Sequence, residues 1–310
     1  MVLYSQELTS LALENKADLY IGHNLGALQA IVRASKKYSA KSVFDFEDYH
    51  RGELEQNALY TSMIISVENK YIPHVSSLTA ASPAISRAYG LVFPLHSITT
   101  INNCFPLEYA IEQIKPIPQL PLRLFWFSQY VGKRRGLEAI ITAMSLFSEK
   151  SISLTLLGVV SAEMRKYLLE LMIDLNLSED QLIFLHPVME IDIATIASNY
   201  HIGVASEPGR DLNNELALSN KIMMYMLTGN ALLCSDTVSQ KDFLDLNPSI
   251  GSLYLKDNST NLFKVLSYYK DNPELLDNHR KNALQLGKEK YNWNIEKKKF
   301  LQNVEQVLAK

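Results

Sequence analysis

The sequence predicts an α/β protein of two doubly wound lobes, each built on a parallel sheet, and three observations carry that expectation. Short apolar runs rich in branched residues alternate with amphipathic stretches of about 10–18 residues, the pattern of βα units. The alternation is interrupted at residues 115–121 (KPIPQLP), where three prolines in seven residues can continue neither a helix nor a strand and read as a stiff linker. After it the alternation starts again, and 310 residues are comfortable for two domains.

The first lobe, residues 1–117, opens on a helix-like stretch at 6–15 and then takes strands at 19–23, 42–46, 76–80 and 99–103. Helices are expected at 26–38, 53–71 and 82–89; Ser82 followed by Pro83 is a good N-cap and first-turn pair. The second lobe, residues 118–290, takes strands at 123–127, 153–157, 182–185, 202–205, 231–235 and 252–255. Helices are expected at 136–147, 162–175, 191–200 and 219–228. From residue 260 the chain reads as mostly helical and closes, within 291–310, on a helix at 293–308.

Composition narrows the function classes. A hydrophobic share of 47% and a charged share of 20% describe a globular protein with apolar material for two cores. Thirty Lys and Arg against 33 Asp and Glu, a formal charge of −3, are too balanced to make nucleic acid the main partner. Cys104 and Cys234 sit in apolar runs without metal-ligand spacing, and read as buried thiols in a reduced cytoplasm. The N-terminus lacks the basic start and apolar core of a signal peptide, and no uncharged apolar run nears the ~20 residues of a membrane span. The expected location is cytoplasmic. The basic clusters Lys36-Lys37, Lys133-Arg134-Arg135 and Lys297-Lys298-Lys299 admit peripheral contact with the inner face of a membrane, although the first and third read by default as solvated helix faces.

Three places could hold chemistry. Ser128-Gln129-Tyr130-Val131-Gly132-Lys133-Arg134-Arg135-Gly136 follows the opening strand of the second lobe and precedes a helix. A loop with two glycines and three cations at a helix N-terminus is suited to an anion, since the free amides and the helix dipole add to the cations. Next, Glu207 ends a strand, and Ser219, Asn220 and Lys221 begin the following helix, with Ser219 as its expected cap. Last, His23-Asn24 and the run Asp45-Phe46-Glu47-Asp48-Tyr49-His50-Arg51-Gly52-Glu53 follow two strands of the first lobe and could hold a metal or serve as acid/base groups. The histidines have no zinc spacing and the chain has no Asp-x-Asp triplet, so no metal is expected.

These residues resemble the GT-B glycosyltransferases of group 1, also called family four, along almost the whole chain. The stretch Ala17–Leu28 is similar to the family's acceptor-lobe strand with its H-N-L turn, and 43–47 to a strand that ends in Asp-x-His-Glu. The stretch 127–138 resembles the G-x-x-x-x-K-G-L-E element, and Leu154-Thr155-Leu156-Leu157-Gly158 the L-x-I-x-G strand. Asn220-Lys221-Ile222 through Tyr225, Gly229 and Ser235-Asp236 follows the N-K-x-x-E-Y-x-x-x-G-x-P-V-x-x-S-D stretch, and Tyr291-Asn292-Trp293 opens a helix that in this family crosses back to the first lobe.

The resemblance implies two Rossmann-like lobes, no cofactor, and a nucleotide-sugar donor as co-substrate whose sugar passes to a glycan or lipid-linked acceptor, with anomeric configuration kept. It implies that Arg135, with Lys133, neutralises the donor diphosphate, a charge stabilisation that dispenses with a metal. Glu207 then contacts the donor sugar, and Ser128, Gln129, Gly132, Ser219, Asn220 and Lys221 line the donor site. His186 and Val188 line the base pocket, while Glu47, His23, Asn24, Asp48 and His50 belong to the acceptor side. The chain departs from the pattern in three places. The family's second glutamate falls at Met224; Glu215, although eight positions after Glu207, precedes the helix that should carry it. Glu47 stands in place of the acceptor-lobe histidine, and the opening strand with its glycine-rich loop has no counterpart, so the first lobe is expected to be incomplete.

Overall fold

The computed structural model describes residues 5–53, 58–148 and 150–309. In chain order the elements are α1 (Ser5–Glu14), β1 (Leu19–His23), α2 (Asn24–Tyr38), β2 (Lys41–Phe46), α3 (Ala58–Tyr71), β3 (Ser77–Ala80), α4 (Pro83–Val92) and β4 (Ile98–Thr100). They continue with β5 (Leu122–Val131), α5 (Leu137–Ser145), β6 (Ile152–Val160), α6 (Ala162–Asp174), β7 (Leu182–Leu185), α7 (Glu190–Ala197), β8 (Ile202–Ala205) and α8 (Leu212–Leu216). The last are α9 (Lys221–Leu227), β9 (Ala231–Ser235), α10 (Val238–Leu246), β10 (Gly251–Tyr254), α11 (Ser259–Asp271), α12 (Pro273–Glu289) and α13 (Trp293–Leu308). None of the described helices is long and apolar enough to cross a membrane.

The chain divides into two compact units. The first comprises Met1–Asn103, Arg210–Leu218 and Asn294–Lys310; the second comprises Cys104–Gly209 and Ser219–Trp293. The division falls after Asn103, ahead of the proline-rich stretch, and a nine-residue excursion of the second unit's sequence is counted with the first.

The first unit carries a parallel sheet in the order β1-β2-β3-β4. Phe44, Phe46, Leu78, Ile85 and Tyr89 form its core, with the Phe46 and Tyr89 rings stacked at 3.6 Å. Ser82 caps α4: its hydroxyl accepts from the Ile85 amide at 3.1 Å and donates to the Leu216 carbonyl at 2.7 Å. α13 is tied to this unit through Glu296, fully buried, which accepts from the Asn102 backbone amide at 3.1 Å, its side-chain amide at 3.0 Å and the Lys299 ammonium at 2.7 Å. The basic residues at the end of α2 have local uses, since Lys37 donates to the Leu13 carbonyl at 2.6 Å and complements the helix dipole there. The helix expected at 53–71 is seen from Ala58; residues 54–57 lie outside the described residues.

The second unit carries a parallel sheet in the order β10-β9-β8-β5-β6-β7. Each residue of β8 and β9 is buried, as a parallel sheet covered on both faces requires. The strand order runs outward in opposite directions from β5 and β8, so the switch point of this doubly wound sheet lies between those two strands. β5 is twice the expected length. After an irregularity between Phe127 and Tyr130 it resumes pairing with β6, so Ser128, Gln129 and Tyr130 lie on the strand and not in the loop. α10 was not expected because its buried side carries Ser239 and Gln240 beside Phe243 and Leu244, which spoils the apolar stripe. α8 is too short to show a period, with only Leu216 buried.

Candidate functional site

The cation loop follows β5 and leads into α5 at the switch point. Gly136, the N-cap of α5, has φ 74° and supplies no side-chain cap, which leaves the first amides of the helix unpaired by a cap. A side chain there is excluded twice, by that left-handed backbone and because a Cβ would meet Ser206 Cβ at 3.0 Å. Ser206, at the end of β8, donates its hydroxyl to the Arg135 carbonyl at 2.7 Å and so fixes the loop from the neighbouring strand.

From β8 the chain reaches Glu207. The Glu207 amide donates to the Ser235 hydroxyl at 2.8 Å, and that hydroxyl donates back to the Glu207 carbonyl at 2.6 Å. Gln240 in turn donates to the Ser235 carbonyl at 2.9 Å. Thus α10 braces the strand end that presents the carboxylate. Glu207 Oε1 accepts from Lys221 Nζ at 2.9 Å and from the Ser219 hydroxyl at 3.1 Å; the lysine and glutamate side chains are only 9% and 11% exposed. A pair this dry is worth little net stability, but removal of one member strands the other charge. α9, which carries Lys221, is buried all round, and its Tyr225 lies so close that a Cβ on Gly203 would come within 2.1 Å of the ring. The Tyr225 hydroxyl bridges the Phe125 and Val204 carbonyls at 3.1 Å each, and burial pushes its pKa up. Nearby Cys234 is a buried free thiol whose pKa is likewise raised, by burial first and then by Glu207.

Arg135 and Lys221 line one cavity of about 560 Å³, together with Ser128, Gln129, Tyr130, Asn220, Glu190 and an apolar wall that includes Phe105, Leu157, Pro187, Val188 and Ile193. Five of the expected donor residues therefore share a cavity with Arg135. Gly132, His186 and Ser219 are not among its lining residues. Two expectations need correction. Ser219 does not cap α9, whose N-cap is Asn220; its hydroxyl is spent on Glu207. Lys133 is not among the residues that line the cavity: its exposed side chain lies over the Tyr167 ring at 4.2 Å, and the cations of the lining are Arg135 and Lys221. Glu190 and Ser206 were missed because each matters only through residues far away in the sequence: Glu190 through the cavity it shares with Arg135, Ser206 through its bond to the Arg135 carbonyl. Met224, fully buried, offers no acceptor here.

The first unit has its own cavity, of about 550 Å³, lined by Asn24, Asp48, His50, Glu53, Tyr60 and Asn213 among others. Asn213, on α8, holds the loop after β2 by accepting from the Tyr49 amide at 2.7 Å and donating to Asp48 at 2.9 Å. Glu215 lies on the same short helix and not in the second unit. His50 is 4% exposed; its amide donates to the Tyr89 hydroxyl, and its Nδ1 lies 2.6 Å from Glu53 Oε1. Burial works to lower its pKa but is outweighed by the hydrogen bond and charge of Glu53, with Asp48 and Glu68 behind it, so the net direction is up. Glu68, fully buried, is raised by burial although the Tyr89 hydroxyl and Arg51 both bond it.

At the ends of β1 and β2, His23 Nδ1 lies 3.2 Å from Asp45 and 3.4 Å from Glu47, and Asn24 donates to Glu47 at 3.1 Å. The Thr79 hydroxyl donates to the other oxygen of Asp45. Ligand atoms of His23, Asp45 and Glu47, all in the stretches singled out in the sequence, lie within 4.8 Å of one another.

No protein-family model matches the sequence, and no curated protein matches it. Solved structures do. Anabaena Alr3699/HepE in complex with UDP is 15% identical with a TM-score of 0.79, over 97% of this chain and 82% of that one. Sucrose-phosphate synthase from Thermosynechococcus elongatus is also 15% identical with a TM-score of 0.79, over 99% and 77%. The pneumococcal O-GlcNAc transferase GtfA in complex with UDP and GlcNAc is 15% identical with a TM-score of 0.71, over 99% of this chain but 60% of that one. With its two parallel-sheet units, the chain has the GT-B glycosyltransferase fold.

Proposed function

We propose that the protein is a glycosyltransferase that moves a sugar from a nucleotide-sugar donor to a glycan or lipid-linked acceptor in the synthesis of a surface polysaccharide. The observation that supports it most is the cavity of the second unit, which sets Arg135 and Lys221 beside an apolar wall at the switch point of the sheet. Alr3699/HepE and GtfA hold UDP in structures of the same fold. In this reading Arg135 and Lys221 take the negative charge that grows on the diphosphate as the anomeric C–O bond breaks, and they need no metal to do so. Glu207, fixed through Ser235, touches the donor sugar. Transfer keeps anomeric configuration, and Glu47, His23, Asn24, Asp48 and His50 serve the acceptor. The protein works in the cytoplasm, with peripheral contact at the membrane where a lipid-linked acceptor is used.

A second reading is a chain that binds nucleotide or glycan without turnover, which Met224 favours, since no carboxylate stands there. Thermal shift with UDP, GDP, CDP and ADP, followed by donor hydrolysis and transfer assays, separates the two. Stabilisation by a diphosphate that Arg135→Ala abolishes is expected, with sugar release from the matching donor. Stabilisation without any release favours the binding protein, and no stabilisation by any nucleotide overturns both.

A further inference from the structure

The cavity at the switch point is lined by three kinds of chemistry. Arg135 and Lys221 are its cations, and Phe105, Leu157, Pro187, Val188 and Ile193 are its apolar wall. Among the described lining residues one carboxylate is present, that of Glu190. Glu190 is exposed, begins α7 and stands two residues after Val188. Its carboxylate faces the Tyr109 hydroxyl, which hydrogen-bonds it and whose pKa is raised by burial and by this neighbouring charge.

A carboxylate in an anion site repels the anion. It is useful there only toward a part of the ligand that presents donors and no charge. Two carboxylate oxygens have about four lone-pair directions, and Tyr109 uses one, so both hydroxyls of a vicinal diol can be satisfied at once. A ribonucleoside diphosphate has the matching set of groups: a flat apolar base, a ring with a vicinal diol, and the phosphates. We infer that Glu190 is the residue of this cavity that recognises the ribose, accepting from the 2′- and 3′-hydroxyls, with Tyr109 as a positioning residue. This rests on the reading of the cavity as a nucleotide site.

Isothermal titration of the whole chain with UDP, GDP, CDP and ADP, each against its 2′-deoxy counterpart, and with inorganic pyrophosphate, tests the assignment. For the diphosphate that binds, the ribo form should be tighter by roughly ten- to a hundredfold, the range of hydrogen bonds to a charged group. In Glu190→Ala that advantage should shrink to within about threefold, while pyrophosphate binds as before or slightly tighter. Glu190→Gln, which keeps the shape, should retain part of the advantage. If Glu190 only complements the dipole of α7, the ribo advantage survives both substitutions and the assignment is wrong. If the natural chain binds a diphosphate without preferring ribose, the assignment fails and the nucleotide reading stands. Absence of binding to every nucleotide and to pyrophosphate overturns both.

Discussion

The two cavities are nearly equal in size, about 560 and 550 Å³, yet opposite in character. That of the second unit presents Arg135 and Lys221; that of the first presents Asp48, Glu53 and amide side chains around His50. Both units rest on parallel sheets, so the contrast comes from loop residues and from how each unit treats a buried carboxylate. Glu207 is paired with Lys221, itself one of the two cations that line the cavity. Glu68 is instead gripped by the Tyr89 hydroxyl and Arg51, with its pKa raised, so it can take up a proton when support is withdrawn.

The largest expected effect tests that difference directly. Lys221→Met leaves the Glu207 carboxylate buried without its cation and should cost about 3–5 kcal/mol in urea unfolding. Restoring balance with Glu207→Gln in the same chain should recover much of it. Arg51→Met in the first unit should cost less, because Glu68 keeps the Tyr89 hydroxyl and can protonate. Equal losses from Lys221→Met and Arg51→Met would remove the distinction between the two carboxylates.

Two buried histidines extend the comparison to pH. His201, in the second unit, accepts from the Arg123 amide at 3.0 Å; burial, then Arg280 and Arg123, push its pKa down from 6.5 to about 4. Below pH 6.5 the unfolded chain takes a proton that the folded chain refuses, so this contribution to stability is lost as pH falls from 6.5 through about 4. The full span corresponds to roughly 3 kcal/mol. His50 in the first unit has the opposite sign. Its pKa is raised above 6.5, so its contribution is complete below that value and fades as pH rises through the folded-state pKa. Urea midpoints measured across about pH 4 to 9 should flatten on the acid side in His201→Asn and on the alkaline side in His50→Gln. A parallel change in both variants would break the assignment of opposite signs.

What could be read from the sequence follows the range of the forces involved. β7, β8 and β9 are fixed by short branched runs and fall on the expected residues, and Ser82-Pro83 caps its helix through a contact three residues away. The fold class was legible for the same reason, since periodicity is local. Site residues were legible only as far as local chemistry decides them. Arg135, Asn220 and Lys221 stand at helix starts and reach one cavity. Ser219 looked like a cap until Glu207, twelve residues earlier, claimed its hydroxyl. The tie of Asn213 to Asp48 spans 165 positions, and no local pattern announces it.

The smallest expected effects sharpen the choice of cations. Arg135→Ala should weaken diphosphate binding by roughly ten- to a hundredfold, the worth of lost charged hydrogen bonds, with little change in the urea midpoint. Lys133 lies over Tyr167 at 4.2 Å, exposed to solvent, where such a contact is worth about 0.5–1 kcal/mol. Lys133→Ala should therefore cost no more than that in stability, and about threefold or less in affinity, because a solvated charge at this distance is screened by salt. The two variants titrated side by side with the same diphosphate, at low and at physiological salt, decide the matter. If Lys133→Ala weakens binding as much as Arg135→Ala at both salt concentrations, the side chain must leave Tyr167 for the phosphates on binding. The partnership of Arg135 with Lys221 would then give way to the one first expected from the sequence.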